Sequence, residues 1–336
     1  MRATLFLFLI VAACHPRQET ASDAGASSAP APASSAPIPT PTPSASAAPK
    51  VSCSEDGWCE LMTVKAGGLH ALWGTNTGNL YALWSSTLVH FDGTSWQPVK
   101  GLGDKDRFWG LHGSQVANVW VVGEAGSAFH FDGAWREAKA PTKETLRAVY
   151  TRDAGDVWAV GDGGTLLHWN GSSWLLSTVK IEGKAKALLG VWANAANDAW
   201  AVGDGGTALH WDGSRWHPTQ TETPFSLTTV YGTGPADVWA AGLGGTIMHW
   251  DGTKWAPSPS GTKARLYGIW AEDKSNAWAV GEDGTILHWD GTAWHASESG
   301  THDDLHGIWA AVAEDVWIVG FSRKNGSTAT WRRKLR

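Results

Sequence analysis

A tryptophan followed by a short apolar run and a glycine-rich turn recurs at Trp84, Trp120, Trp158, Trp200, Trp239, Trp278 and Trp317, at spacings of 36, 38, 42, 39, 39 and 39 residues. Self-similarity at about 40 residues marks a blade or solenoid array, in which each unit buries its apolar face only against its neighbours. One repeat shows what the unit is. Leu266-Tyr267-Gly268-Ile269-Trp270 reads as a first strand, Asn276 to Val280 as a second, Thr285 to Trp289 as a third, and Trp294 to Ser297 opens a fourth. Gly281-Glu282-Asp283-Gly284 and Asp290-Gly291 between them are hairpin signals. Four short strands per repeat specify a propeller blade, and no stretch carries a convincing 3.6-residue apolar period. The expected fold is all-β: a seven-bladed β-propeller of four-stranded blades.

The seventh repeat stops one strand short. Leu305 to Trp309, Asp315 to Val319 and Ser327 to Trp331 supply three strands before the chain ends at Arg336. The missing strand is found at the other end, where Asp56-Gly57-Trp58-Cys59-Glu60-Leu61 matches the Asp-Gly-x-x-Trp pattern of every fourth strand with two residues deleted. A strand over about 57–64 is therefore expected to complete the last blade, because an open ring would expose two sheet edges. The propeller is placed at 51–331, and Arg332-Arg333-Lys334-Leu335-Arg336 (332–336) reads as a solvated basic tail.

The 24 tryptophans and 40 glycines fit this architecture. A slot filled by an aromatic in every blade is filler between facing sheets, not a sugar ladder. Net charge is −6 with both signs mixed, so no basic footprint argues for nucleic acid.

The N-terminus reads as an address. Met1-Arg2 precedes an apolar run, Ala3 to Ala13, that is too short to span a bilayer and suits a signal peptide. Val11-Ala12-Ala13-Cys14 resembles the lipobox of bacterial lipoproteins. That resemblance implies a signal peptide over 1–13, lipidation of Cys14, and a membrane anchor in the bacterial cell envelope. His15 in place of aspartate implies the outer membrane, on its periplasmic side or at the surface. Residues 14–50 are rich in Ala, Ser and Pro and cannot bury enough surface to fold, which makes them a disordered tether. With Cys14 lipidated, Cys53 and Cys59 are an even pair in an oxidising compartment and are expected to form a disulfide.

The string Gly203-Asp204-Gly205-Gly206-Thr207-Ala208-Leu209-His210-Trp211-Asp212-Gly213 resembles the Asp-box (BNR) repeats of sialidase-type propellers. It is closer still to the propellers of photosystem II assembly factors, and is also similar to tectonin lectins. The similarity covers about residues 57–331 and implies fold more sharply than function. The turn residues Asp92, Asp132, Asn170, Asp212, Asp251 and Asp290 are expected to cap hairpins by accepting backbone hydrogen bonds.

His90, His130, His168, His210, His249 and His288 share one slot, one per blade. Spread around a ring, they cannot converge on one ion, so a structural hydrogen bond is expected and no metal is assigned. A sialidase-like enzyme would gather arginines, a tyrosine and carboxylates on the axis. Arg107, Arg147, Arg265 and Tyr267 fall near first-strand starts, but no complete family motif accompanies them. No catalytic residue and no cofactor is assigned.

The units disagree at one place. The residue after the leading apolar one in each first strand is His70, Trp109, Arg147, Leu189, Thr228, Tyr267 and His306 in turn. First strands line a propeller's central channel, so this slot should ring its mouth. The charged, variable loops that precede it, such as Asp104-Lys105-Asp106-Arg107, belong to the same face. Variation on a constant scaffold points to binding, and His70, Trp109, Arg147, Thr228, Tyr267 and His306 are the candidate ligand-binding residues. The expected function is a monomeric, non-catalytic scaffold for a protein of the cell envelope. A lectin for glycan or cell-wall polysaccharide is the alternative, and a glycoside-active enzyme the second. Exposed Trp109 and Tyr267 beside Arg147 would favour the lectin; two carboxylates about 5 to 9.5 Å apart in a cleft would favour the enzyme.

Overall fold

The computed structural model describes residues 52–65, 68–84, 87–102, 107–179, 186–312, 315–322 and 327–334. The expected signal peptide, Cys14 and the tether over 14–50 lie outside the described residues.

Six four-stranded antiparallel sheets follow one another along the chain, over 69–98, 108–137, 146–177, 188–219, 227–257 and 266–296. The seventh is built from both ends. Its first three strands are Asp304–Ala310, Asp315–Phe321 and Ser327–Lys334; the fourth is Trp58–Lys65, and Ser52–Cys53 adds a short fifth. Each first strand packs against the first strands of both neighbouring blades, and Asp304–Ala310 returns to Leu69–Asn76, so the ring is closed. This is the seven-bladed propeller expected from the repeat, with the N-terminal closing strand one residue from its expected place. Cys53 and Cys59 lie opposite each other in the hairpin leading into that strand and are joined by a disulfide.

Tryptophan packing explains why closure works. In blades two to six the second-strand indole meets the outer-strand indole of the next blade edge to face. The pairs are Trp120–Trp174, Trp158–Trp216, Trp200–Trp255, Trp239–Trp294 and Trp278–Trp58, with centroids 5.1 to 5.6 Å apart. Trp58 is thus the outer-strand tryptophan of blade seven, although it is separated by 220 residues of sequence from Trp278. Its indole N–H donates to Ser297 Oγ at 3.1 Å, as that of Trp294 does to Ser258 Oγ. Burying such rings takes 150–250 Å² each out of water, the main source of stability between blades.

The second-strand ring is also stacked on the histidine of the third strand, as in Trp158–His168 at 4.0 Å and Trp239–His249 at 4.0 Å. Each histidine Nε2 donates to an Asp or Asn at the start of the second strand: His168 to Asp156, His210 to Asp198, His249 to Asp237, His130 to Asn118. These histidines are therefore structural. Four aspartates and Asn170 cap their turns as expected; Asp212 Oδ1, for instance, accepts from the N–H groups of Ser214 and Arg215. In the shorter turn at Asp132 the carboxylate pairs with Arg136 instead.

Two expectations are corrected. Trp84 is not the blade-one counterpart of Trp120. Tyr81 pairs with His90 as Trp120 pairs with His130, and it lies 39 residues before Trp120, whereas Trp84 closes the strand opposite Leu69. The irregular spacing of 36 came from this shift. The basic tail over 332–336 begins inside a strand: Arg332 and Arg333 belong to Ser327–Lys334. Arg332 stands opposite Trp317, in the slot that histidine fills elsewhere, where it stacks on that ring at 4.9 Å and forks onto Asp315. Arg333 lies over Trp278 at 4.9 Å.

Candidate functional site

In blades two to six the second strand ends in glycine, which lets the first strand begin close against it. A Cβ on Gly161 would come within 2.1 Å of the Thr145 carbonyl oxygen, and one on Gly281 within 2.2 Å of that of Arg265. With no side chain there, the first strand sits close against the second, and its second residue is delivered to the axis. The six candidate residues, together with Leu189 and Arg265, line one cavity of about 320 Å³. Arg265 precedes the varied slot by two residues.

Around the ring these side chains form two stacks. In one, His70 lies against Trp109 with centroids 5.8 Å apart, and the Arg147 guanidinium lies over Trp109 at 5.2 Å. In the other, His306 stacks on Tyr267 at 4.3 Å and Arg265 lies over Tyr267 at 5.1 Å. Each stack is imidazole, aromatic ring and guanidinium. Leu189 and Thr228, on the two blades between the arginines, separate them.

A carboxylate stands behind each arginine, on the turn after the second strand. Asp162 accepts two hydrogen bonds from Arg147, from Nε and Nη2, each at 2.8 Å. This forked pair pushes the Arg147 guanidinium further up from its ordinary value and fixes its plane over Trp109. Glu282 accepts from the Arg265 backbone N–H and from the Tyr267 hydroxyl, both at 3.2 Å. Burial pushes that hydroxyl up, so it stays a neutral donor. Thr228 has a different task, donating to the Leu266 carbonyl at 2.5 Å and tying blade five to blade six. Trp109 is 39% exposed, the ring most open to a ligand in this cavity. No Asp or Glu is among the residues that line it. Of the charged loops on this face, 103–106 and 180–185 lie outside the described residues.

The other end of the channel holds a cavity of about 550 Å³ that sequence reasoning did not single out. Its wall carries the fifth residue of each first strand, including Trp73, His112, Tyr150 and Trp192. The signal was present as an aromatic at a fixed position, but it reads as core, and Trp73 and Trp192 do pack on Gly113 and Gly232 of the next blade. Val149, Val191 and Val230 border cavities at both ends and form an apolar waist between them.

No protein-family model matches the chain, and no curated protein matches it in sequence. Solved structures do. The chain is similar to YCF48 bound to D1 peptide, with 15% identity and a TM-score of 0.65 over 86% of this chain and 100% of that one. It is similar to the WD40 β-propeller domain of Doa1 at 11% identity and a TM-score of 0.68, covering 82% and 96%. Streptogramin B lyase matches at 13% and 0.67, also covering 82% and 96%. At these identities the likeness is one of fold, and the fold carries both a peptide binder and a lyase, so function has to be argued from the site.

Proposed function

We propose that this chain is a non-catalytic binding module of the bacterial cell envelope that holds a protein partner at the channel mouth ringed by His70, Trp109, Arg147, Thr228, Tyr267 and His306. One observation carries the reading. On seven superposable strands, the second position holds six kinds of side chain, while the third holds only Ala, Gly or Thr. Packing alone would give both positions the same monotony. YCF48, a propeller of the same architecture, is seen with a peptide bound. In this proposal Cys14 carries the lipid, residues 14–50 hold the propeller away from the outer membrane, and the protein acts as a monomer. Each buried acyl methylene contributes about 0.8 kcal/mol, so two or three chains suffice for a durable anchor.

The exposed face of Trp109, flanked by Arg147 and His70, supports a second reading, a lectin for an envelope glycan. One experiment separates the two. All described strands of the ring lie within 52–334, so residues 51–336 are produced alone and applied to a glycan and cell-wall-polymer array, while the full chain is crosslinked in its native envelope. Both are repeated with the Arg147→Ala/Tyr267→Ala double variant. A protein crosslink lost in the variant supports the scaffold. Array binding lost in the variant, without a crosslink, replaces it with the lectin. Binding that the variant leaves untouched rejects the mouth. Retention of Cys14→Ser protein on membranes would refute the anchor.

A further inference from the structure

The geometry points to an acidic peptide as the ligand: we infer that side-chain or C-terminal carboxylates of a partner segment are held between Arg147 and Arg265 in the channel mouth. This rests on the reading of the mouth as a protein-binding site. The charged groups lining the cavity are two guanidiniums, with no carboxylate among the lining residues. Asp162 forks onto the Arg147 guanidinium and Glu282 accepts from the Arg265 backbone N–H, and neither carboxylate is among the residues that line the space between the arginines.

The hydrogen-bonding capacity of the ring is unevenly used. The Thr228 hydroxyl is committed to the Leu266 carbonyl and the Tyr267 hydroxyl to Glu282. Arg147 has given Nε and Nη2 to Asp162, and Nη1 makes no hydrogen bond among the described residues. Arg265 makes no ion pair among the described residues, and its buried Nε has no hydrogen-bond partner. Each guanidinium also lies over an aromatic ring, a contact that restricts it before a carboxylate arrives.

Size and polarity select a peptide over a neutral sugar. At about 320 Å³ the cavity is at the small end of ligand sites and admits a side chain or a chain end. Leu189 and the open face of Trp109 offer apolar contact to methylenes. A carboxylate also matches the two guanidiniums in charge, which a neutral sugar hydroxyl does not.

The test uses residues 51–336 and a fluorescein-labelled dodecapeptide of glutamate, with the glutamine dodecapeptide and oligogalacturonate as comparisons. The glutamate peptide is expected to bind and the glutamine peptide to fail. Arg147→Gln and Arg265→Gln should each weaken binding by about tenfold or more, as expected for a charge-assisted hydrogen bond. Lys143→Gln, a charge change outside the cavity, should leave it within about twofold, and thermal unfolding verifies that each variant is folded. Glutamate-peptide binding indifferent to both arginine changes overturns the inference. Equal binding of oligogalacturonate with the same arginine dependence overturns the choice of peptide. If the glutamate peptide does not bind, while a crosslinked envelope partner is lost in Trp109→Ala and kept in both Arg→Gln variants, acid recognition falls and the protein-binding reading stands. Loss of both signals rejects both.

Discussion

His112 makes the propeller acid-sensitive. It stands at the fifth position of the blade-two first strand, stacked on Tyr150 at 4.3 Å, and its Nδ1 accepts the Thr151 backbone N–H at 3.0 Å. Protonating that nitrogen would put a donor against a donor inside the protein. Burial pushes the imidazole from 6.5 down to about 3. A folded-state value below the unfolded one means stability that is fully present above pH 6.5 and is lost as pH falls towards 3. One unit is worth about 1.4 kcal/mol, so lowering the pH from 7 to 5 should cost at most about 2 kcal/mol from this residue. The figure is an upper bound because part of the ring faces the axial cavity, where solvent reduces the penalty. The assay is urea unfolding followed by tryptophan fluorescence at pH 7 and pH 5, for the wild type and His112→Phe. The variant leaves the Thr151 N–H without its partner, but that loss is the same at both pH values and cancels. His90, His130 and His288 are also held down by burial, are present in both proteins, and cancel too. The variant should therefore lose less stability on acidification than the wild type. Equal losses would show that protonated His112 is tolerated in the folded state and would refute the argument.

Substitutions at four positions test the packing. Trp58→Ala empties the closing strand's 1%-exposed anchor and should cost about 3–5 kcal/mol in urea unfolding, whereas Trp109→Ala at the mouth should stay within about 1 kcal/mol; comparable losses would contradict the closure described. Arg332→Ala leaves the buried Asp315 carboxylate without its forked partner and should cost about 3 kcal/mol, of which Arg332→His, the residue used in the same slot of the other blades, should restore part. Ala125→Gly should raise the Tm slightly, by about 0.5–1 kcal/mol of stability, because Ala125 has φ 54° where Gly163, Gly205 and Gly244 stand in sister blades; a lower Tm would mean that the left-handed conformation costs alanine nothing here.

What could be read from the sequence, and what could not, follows from how a repeat carries information. A slot filled identically in blade after blade is self-aligning, so the strands, the structural histidines and the closing strand at Trp58 were all legible. The two errors fell at the irregular ends of the ring. In blade one Tyr81 replaces the tryptophan and Trp84 offers a false match three residues later. In blade seven Arg332 replaces the histidine, and with its neighbour it looks like a charged tail. In both cases the substitute keeps the physics, a flat group stacked in the same place, while changing the letter that a pattern search follows. The mouth was legible for the complementary reason: the strand pattern fixes which position reaches the axis, and departure from monotony there is visible without coordinates. Arg265 was harder to place because it lies outside that position, at the end of the preceding loop. Only the structure shows that its guanidinium folds back over Tyr267 while Glu282 holds its backbone N–H. A long side chain reaches a site from a residue whose own backbone position does not announce it, so the charges of a binding surface are less legible than the frame that carries them.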